Sequence, residues 1–424
     1  MKKAFFIFIA VAALALQSCL HDNKTVFDEP AAERLDKAVA DYTALLESAP
    51  NGWMLQYYAG KDYSNGGYTL LLKFKNGRVT ATGDAGDPEE VVTSAYEVVK
   101  DQAPMLSFNV YNKVIHTLAE PWLGNPEGLQ GDYEFTILKA TADSMVLKGR
   151  KWKNEMVLTR LPENISWEEF MVGLIGVKDG MTVKTYNFIQ GKDTLAQGTI
   201  DPDTRRLSVT IGQNTWDMPY CTNATGIVLR EPIVIAGKPY QNFTWDEAER
   251  KLTQNDLTLA QYLPKSYKDI DFWVGQWRLK TRQRLSITLD LALGTSPNTL
   301  KGTLTYRKVK YELMLDYHPE TGTLELTGQP VKDPTLTYPS GIVLIPASVK
   351  EGNLFGEGSG SMIFTWDEDT QRAEASDGGQ IEGHEVDSFF GVAYGENLQP
   401  LTTPDGKYVY AFMLEAIEHM TKIK

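Results

Sequence analysis

Four short motifs recur in the second half of this sequence, and this repetition restricts the possible folds more than any other feature. The copies follow one another in the same order as the originals. Matches that keep their order over this length indicate an internal duplication. The matched pairs are Phe170–Gly173 with Phe272–Gly275, Pro202–Thr204 with Pro319–Thr321, Thr225–Leu229 with Ser340–Leu344, and Phe243–Glu247 with Phe364–Glu368.

Each copy has the pattern of a β-rich unit. A Pro-acid-Thr turn is followed by a β-branched strand that starts at a glycine, and then by a hairpin whose reversal is acidic. We assign residues 166–260 to the first repeat and 261–424 to the second. The two repeats could pack as successive sheets or as halves of one sandwich or barrel. The segment 408–417 is expected to complete the last sheet, and Lys422–Lys424 to be frayed.

The preceding region, residues 28–165, predicts one helix followed by a series of strands. Pro30 suits the first turn of a helix, and apolar residues then recur at helical spacing. Asn76-Gly77 between alternating residues is typical of a tight hairpin. The fold class is therefore mainly β, with an N-terminal helix and an antiparallel meander or partial barrel, for which a lipocalin-like arrangement is a candidate. Ser166 and Glu169 form a capping box that starts a second helix.

The first nineteen residues have the pattern of a lipoprotein signal. Two lysines precede the apolar run from Ala4 to Leu16, and small Ser18 stands before Cys19. The run is shorter than the roughly 20 apolar residues that a spanning helix needs. We therefore predict a signal peptide over 1–18, lipidation of Cys19, and a lipidated tether over 19–27 that attaches the protein to the bilayer by acyl chains.

Charge and cysteine content exclude several classes of function. The formal net charge of −13 disfavours nucleic acid as a partner. With Cys19 lipidated, Cys221 is alone, so no internal disulfide is expected and a structural thiol is favoured. The five histidines show no metal-ligand spacing, so we expect no metal and no cofactor.

The candidate binding residues are aromatic. Trp122, in a Pro/Gly-rich loop, and Trp216 are the tryptophans that we expect to contact a ligand, whereas Trp245 and Trp366 occupy matched positions in the repeats and should lie in the core. The acidic segments that follow these two residues are interpreted as hairpin turns rather than calcium loops. No catalytic residue is assigned, because no nucleophile elbow or phosphate-binding loop occurs in a fitting context.

The N-terminal region resembles a known family. The segments that carry the resemblance are Phe27–Leu35, Asn51–Trp53, Gly66–Tyr68, Leu106–Phe108, Gly131–Phe135, Val146–Gly149 and Leu158–Leu161. They look like those of a family of Bacteroidetes lipoproteins of unknown function, similar to accessory lipoproteins of starch-utilisation-type outer-membrane import systems. The resemblance implies an outer-membrane location facing the cell surface, with a TonB-dependent transporter and a surface binding lipoprotein as candidate partners.

These features lead to three functional hypotheses. The first is a lipid-anchored accessory binding module in the uptake of a nutrient, either a glycan or a peptide. The second is a hydrolase of glycans or peptides in the same system, and the third is a structural subunit of the import complex. Aromatic residues along a groove would favour the binding module. Paired carboxylates in a deep pocket would favour the hydrolase, and a flat apolar patch would favour the structural subunit.

Overall fold

The computed structural model describes residues 30–283, 286–333, 335–356 and 358–423. The predicted signal peptide, the tether and Cys19 lie outside these residues. The first element is helix α1, Ala31–Glu47, which begins directly after Pro30 as the sequence predicts.

The first sheet of the described chain contains nine strands and curls almost into a barrel. Its order is β4-β3-β2-β1-β9-β8-β7-β6-β5, so β4 and β5, which only Tyr96 separates in sequence, form its two edges. Helix α1 packs against β2, β5 and β6, next to this opening. The predicted N-terminal helix with an antiparallel partial barrel is therefore confirmed. The strands are β1 Trp53–Tyr58, β2 Gly67–Lys75, β3 Arg78–Gly83, β4 Val92–Ala95, β5 Glu97–Lys100, β6 Pro104–Ser107, β7 Glu134–Ala140, β8 Ser144–Gly149 and β9 Glu155–Arg160.

Alternating burial along these strands forms the core of the curled sheet. Trp53, Tyr57, Phe74 and Phe135 are almost completely buried, and the Trp53 indole Nε1 donates to the carbonyl of Leu46 in α1 at 2.9 Å. A short helix, α2 (Lys113–His116), follows β6, and Asn112 caps it by accepting from two backbone amides. The predicted Asn76-Gly77 hairpin joins β2 and β3.

The capping box at Ser166 is present. The Glu169 amide donates to Ser166 Oγ at 3.1 Å, and Glu169 Oε2 accepts from the Ser166 amide at 2.9 Å. It starts helix α3, Trp167–Gly180, whose Phe170, Met171 and Leu174 pack against Leu71 of β2. This first copy of the repeated Phe-x-x-Gly motif is therefore helical.

The first repeat closes into an eight-stranded barrel, here called barrel 1. Its strands pair in sequence order, and β17 pairs with β10 to close the ring. They are β10 Thr185–Gln190, β11 Asp193–Asp201, β12 Arg206–Ile211, β13 Asn214–Asn223, β14 Gly226–Ile235, β15 Lys238–Asp246, β16 Lys251–Gln254 and β17 Leu257–Gln261.

The second repeat forms another closed barrel, barrel 2, and a separate sheet. A one-turn helix, α4 (Ile270–Trp273), leads into β18 Gly275–Lys280. The other strands are β19 Ile287–Leu293, β20 Thr299–Tyr306, β21 Val309–His318, β22 Thr323–Thr327, β23 Gln329–Val331, β24 Ile342–Ser348, β25 Asn353–Leu354, β26 Ser361–Asp367, β27 Arg372–Asp377, β28 Ser388–Ala393, β29 Tyr410–Leu414 and β30 His419–Lys422. Within the described residues, barrel 2 has the order β18-β19-β20-β21-β22-β26-β27-β30, and the separate sheet contains β23, β24, β25, β28 and β29.

Strands β10 to β17 close one barrel and strands of the second repeat close another, so the repeats do not form halves of a single barrel. The structure also corrects the prediction for the C-terminus. Lys422 is not frayed, since it lies in β30 and pairs with Trp277 of β18. Strand β30 closes barrel 2 between β18 and β27, and Lys424 lies outside the described residues. Segment 408–417 contributes β29 to the separate sheet.

Packing divides the chain into two compact units. The first comprises residues up to Val177 together with Met218–Pro232, and the second comprises Lys178–Asp217 and Ile233–Lys424. Within the first unit, buried Cys221 donates through Sγ to the Tyr68 carbonyl at 3.3 Å, as expected of a structural thiol. Among the described residues, no helix has the length and hydropathy needed to cross a membrane.

Candidate functional site

The second unit contains a groove of about 900 Å³, a volume in the range of small-molecule sites. Its walls come from the start of barrel 1, the segment after barrel 1 and the outside of barrel 2. The lining residues are Val183, Lys184, Thr185, Tyr262, Pro264, Ser266, His318, Glu320, Thr321, Thr323, Glu325, Ile363, Thr365 and Ser376.

The floor of the groove is the outer face of neighbouring strands in barrel 2. Glu325 of β22 pairs with Ile363 of β26, which in turn pairs with Ser376 of β27. Their neighbours Leu324 and Phe364 are buried on the inner face of the barrel. The period of two along each strand thus places one set of side chains in the core and the alternate set in the groove.

His318 stands at the end of β21 and is held by two carboxylates. Its Nε2 lies 2.8 Å from Glu325 Oε2, and its Nδ1 lies 3.2 Å from Glu320 Oε1. Gln380 Nε2 donates to the other Glu325 oxygen at 3.0 Å. Because a carboxylate contacts each ring nitrogen, His318 is fixed in position as part of the wall of the groove.

A second basic side chain of the groove is held in a similar way. Lys184 Nζ lies 2.6 Å from Asp203 Oδ2 and 3.3 Å from Asp201. The hydrogen bond to Asp203 raises the pKa of Lys184, with a smaller contribution from Asp201. Burial alone would raise the pKa of Asp201, but the amides of Asp203 and Thr204 and the Lys184 ammonium outweigh burial, and the net shift is downward.

The two clusters are built on equivalent turns of the duplication. In barrel 1, the Asp201 carboxylate accepts from the amides of Asp203 and Thr204 and so fixes the turn between β11 and β12. In barrel 2, the amides of Thr321 and Gly322 donate to the His318 carbonyl in the turn between β21 and β22. Asp203 and Glu320, the acids of the two Pro-acid-Thr motifs, each contact a basic side chain that lines the groove.

The rest of the lining combines apolar side chains with hydroxyl groups. Val183, Pro264 and Ile363 lie among serine and threonine residues, whose hydroxyls can donate and accept. Tyr262 is 43% exposed and adds an aromatic surface. In the described part of the chain, no group of histidine, cysteine and acidic residues is arranged to hold a metal ion.

The candidate tryptophans do not line this groove. Trp122 is 52% exposed and belongs to the first unit, where it forms a tight backbone bridge with Asn125. Trp216 is half-buried on β13 and belongs to the second unit. Their role in binding stays a prediction, and Cys19 lies outside the described residues.

The acidic segments after Trp245 and Trp366 are hairpin turns, as predicted. Trp245 Nε1 donates to Glu247 at 2.7 Å, and Trp366 Nε1 donates to Glu368 at the same distance. Trp366 is buried as predicted, whereas Trp245 is only half-buried, so the core prediction is wrong for Trp245. The matched Phe-Thr-Trp-Asp-Glu segments thus form the same indole–carboxylate contact in both repeats.

Sequence analysis did not identify the groove residues. His318 had no other histidine nearby in sequence, and the acids that contact it resemble many others in the chain. A usable signal was present in the duplicated Pro-acid-Thr turns, which place Asp203 and Glu320 at equivalent positions. These two equivalent acids are better candidates for residues next to a binding site than the isolated tryptophans.

Comparison with known proteins identifies the family of the chain. No curated protein matches it. Solved structures give faint likenesses that carry no weight for fold or function: transferrin-binding protein B of isotype 1 from serogroup B Neisseria meningitidis (9% identity, 83% of this chain, TM-score 0.14), a double mutant of that protein from Haemophilus parasuis Hp5 (10%, 88%, 0.13) and a mosquitocidal holotoxin (9%, 88%, 0.13). The chain covers 57%, 75% and 50% of their respective lengths. A family model described as a domain of unknown function, DUF4302, matches residues 23–247, more than half of the sequence, and the chain therefore belongs to the DUF4302 family.

Proposed function

We propose that the protein is a lipid-anchored lipoprotein of the cell envelope that binds a nutrient, either a glycan or a peptide, in the groove of its second unit. The observation that carries the proposal is the groove itself. Duplicated turns hold Lys184 and His318 in place on its walls, and the remaining lining combines serine and threonine hydroxyls with apolar side chains. Fixed polar groups around an open cavity favour recognition, because little conformational freedom is lost on binding.

Binding is favoured over hydrolysis by the geometry of the acids. Glu320 and Glu325 converge on one imidazole, and Gln380 occupies the second oxygen of Glu325. A glycosidase needs one carboxyl group to protonate the leaving oxygen and another to act on the opposite face of the sugar. In this groove the acids position His318 instead.

The location and partners extend this proposal. The lipidation pattern at Cys19 and the resemblance to Bacteroidetes lipoproteins favour the outer membrane, facing outward. There the protein would act as an accessory module beside a TonB-dependent transporter and a surface binding lipoprotein. Acyl chains on Cys19 would keep the groove close to the transporter and raise the local concentration of captured ligand.

A groove-blocking variant tests the binding function. Purified full-length protein is screened by thermal shift against oligosaccharides and peptides, and each mixture is analysed for cleavage products. A ligand at a hundred times its Kd adds about 2.7 kcal/mol, which should raise Tm by several degrees. Ser376→Trp, on the groove floor, should abolish the shift. Met314→Trp, at an exposed position of β21 outside the groove, should preserve it.

Two results would contradict the proposal. A ligand-induced shift that survives Ser376→Trp would place binding elsewhere. Cleavage products formed by wild type and lost in Ser376→Trp would show that the groove is catalytic.

The anchor is tested separately. Cells fed an alkyne-labelled palmitate should incorporate the label into wild type but not into Cys19→Ala, and the variant should move from the membrane to the soluble fraction while remaining folded. Equal labelling of both proteins would contradict the anchor without affecting the groove.

A further inference from the structure

We infer that the groove selects an uncharged oligosaccharide rather than a peptide or an acidic glycan. The inference rests on the proposed binding function and specifies its ligand class. It follows from the backbone pairing of the groove floor, from the charge of the lining and from the placement of Tyr262.

The floor offers no open sheet edge to an extended peptide. Peptides that bind along a sheet usually add a strand to an open edge and pair with its free amides and carbonyls. Here β22 pairs with β21 and β26, β26 pairs with β22 and β27, and β27 pairs with β26 and β30. The three strands lie within the wall of a closed barrel, so a ligand on the floor must be recognised by side chains.

The charges of the lining disfavour an anionic ligand. Lys184 is paired with two aspartates, and His318 contacts two glutamates. A carboxylated or sulfated glycan would have to displace these acids from their basic partners, or lie close to them unpaired, and either arrangement carries an electrostatic cost. Recognition of acidic ligands instead uses available arginine or lysine groups.

The remaining groups match the two chemical faces of a sugar ring. A pyranose has C–H groups that can lie on an aromatic ring and hydroxyls that exchange hydrogen bonds around its edge. Tyr262 provides the aromatic surface, and Thr365 and Ser376 carry hydroxyls on two adjacent strands of the floor, β26 and β27. Hydroxyl groups can donate or accept, so they can match sugar hydroxyls without burying an unpaired charge.

The inference is tested by calorimetry on the full-length protein. The probes are tetra- to hexasaccharides of neutral glucans, mannans, xylans and galactans, together with oligogalacturonates of the same lengths and tetrapeptides. At least one neutral series should bind, and its binding should be lost in Ser376→Trp. Tyr262→Ala should weaken it about tenfold, whereas Tyr262→Phe should retain most of the affinity because the ring remains.

Tyr408→Ala is the matched control. Tyr408 is 43% exposed, like Tyr262, and belongs to the same unit but does not line the groove. Its replacement should leave affinity unchanged. Equal losses in the two alanine variants would overturn the assignment of Tyr262 as the stacking surface.

The outcomes separate the ligand class from the groove. Peptides or oligogalacturonates that bind wild type, and lose binding in Ser376→Trp, would overturn the neutral-sugar inference while supporting the groove. A neutral sugar that binds Ser376→Trp and Tyr262→Ala as tightly as wild type would overturn the groove itself, and with it the proposed function. Failure of every probe to bind would count against both.

Discussion

The two barrels have eight strands each, but they do not use equivalent strands. In barrel 1, β13 and β14 form part of the wall. Their counterparts in the second repeat, β23 and β24, lie in a separate sheet, and β22 pairs directly with β26. The number of strands is restored before the repeated turn, where barrel 2 has four strands, β18 to β21, and barrel 1 has two, β10 and β11.

The difference shows that the duplicated segment determines its turns and individual strands more strictly than it determines which strands pair with each other. A barrel of eight strands has an interior that side chains can fill, so losing one pair from the wall requires another pair to replace it. The Pro-acid-Thr turn is kept in both barrels and lies beside the groove in each. The turn therefore lies beside the groove in both barrels, although the pairing of the surrounding strands differs between them.

The largest expected effect tests whether β18, the first strand of barrel 2, is integral to that barrel. Trp277 of β18 is completely buried, donates through Nε1 to the Trp273 carbonyl at 2.7 Å and packs against the rings of Phe272 and Trp366. Trp277→Ala should lower the free energy of unfolding by about 3–5 kcal/mol, because it removes a large core side chain. Chemical denaturation measures this loss.

Hydrogen exchange locates the damage, and Trp216→Ala provides the control. In Trp277→Ala, amides of β20 and β30 should lose protection. Trp216 is a half-buried tryptophan of barrel 1, so its replacement should cost less. If protection in β20 and β30 is unchanged by Trp277→Ala, β18 is an added strand rather than part of a cooperative barrel.

Much of this fold could be predicted because local chemistry determines it. Alternation predicted the strands of the first sheet, Asn76-Gly77 predicted a hairpin, and Ser166 with Glu169 predicted a helix start. Pairing between distant strands could not be predicted in the same way. The contact of β22 with β26 depends on β23 and β24 leaving the wall, and no residue of β22 signals that departure.

The groove was missed for the same reason. Its floor is a row that crosses three strands, Glu325, Ile363 and Ser376, and these residues become neighbours only through the pairing of the barrel. A position such as Ser376 is an ordinary exposed serine until its neighbours across the sheet are known. Motif spacing detects sites built within one segment, and this site is built across segments.

Two glycines allow the packing inside the two barrels to be compared, and we expect their replacement to have an intermediate effect on the free energy of unfolding. A Cβ at Gly198 of β11 would lie 2.7 Å from both the Phe188 ring and the Ser208 carbonyl oxygen. At Gly302 of β20 the nearest atoms are the ends of leucine side chains, at 2.9 and 3.0 Å. Leucine ends can move, whereas a backbone carbonyl cannot move without disturbing the ladder.

Gly198→Ala should therefore cost about 1–3 kcal/mol of unfolding free energy, as overpacked cores do. Gly302→Ala should change it by less than about 1 kcal/mol, because the lower entropy of an unfolded alanine offsets part of the crowding. Denaturant midpoints of the two variants measure the difference. Equal costs would mean that the interior of barrel 1 adapts as readily as that of barrel 2.

The smallest expected effect concerns the turn of barrel 1, where Asp201 stands at the position that His318 occupies in barrel 2. Hydrogen bonds from the turn amides and Lys184 outweigh burial and hold the pKa of Asp201 below its ordinary value of 3.8. Because the folded pKa is below the unfolded one, Asp201 stabilises the protein fully above pH 3.8, and this contribution is lost as the pH falls through the folded pKa. The difference in unfolding free energy between wild type and Asp201→Asn should thus be largest near neutral pH and should shrink toward zero below pH 3.8.

Urea denaturation across this pH range measures the difference between the two proteins. When both also carry Lys184→Met, the difference should be smaller. A difference that stays constant at low pH would show that the carboxylate charge does not stabilise this turn, and the two turns would then share only their backbone geometry.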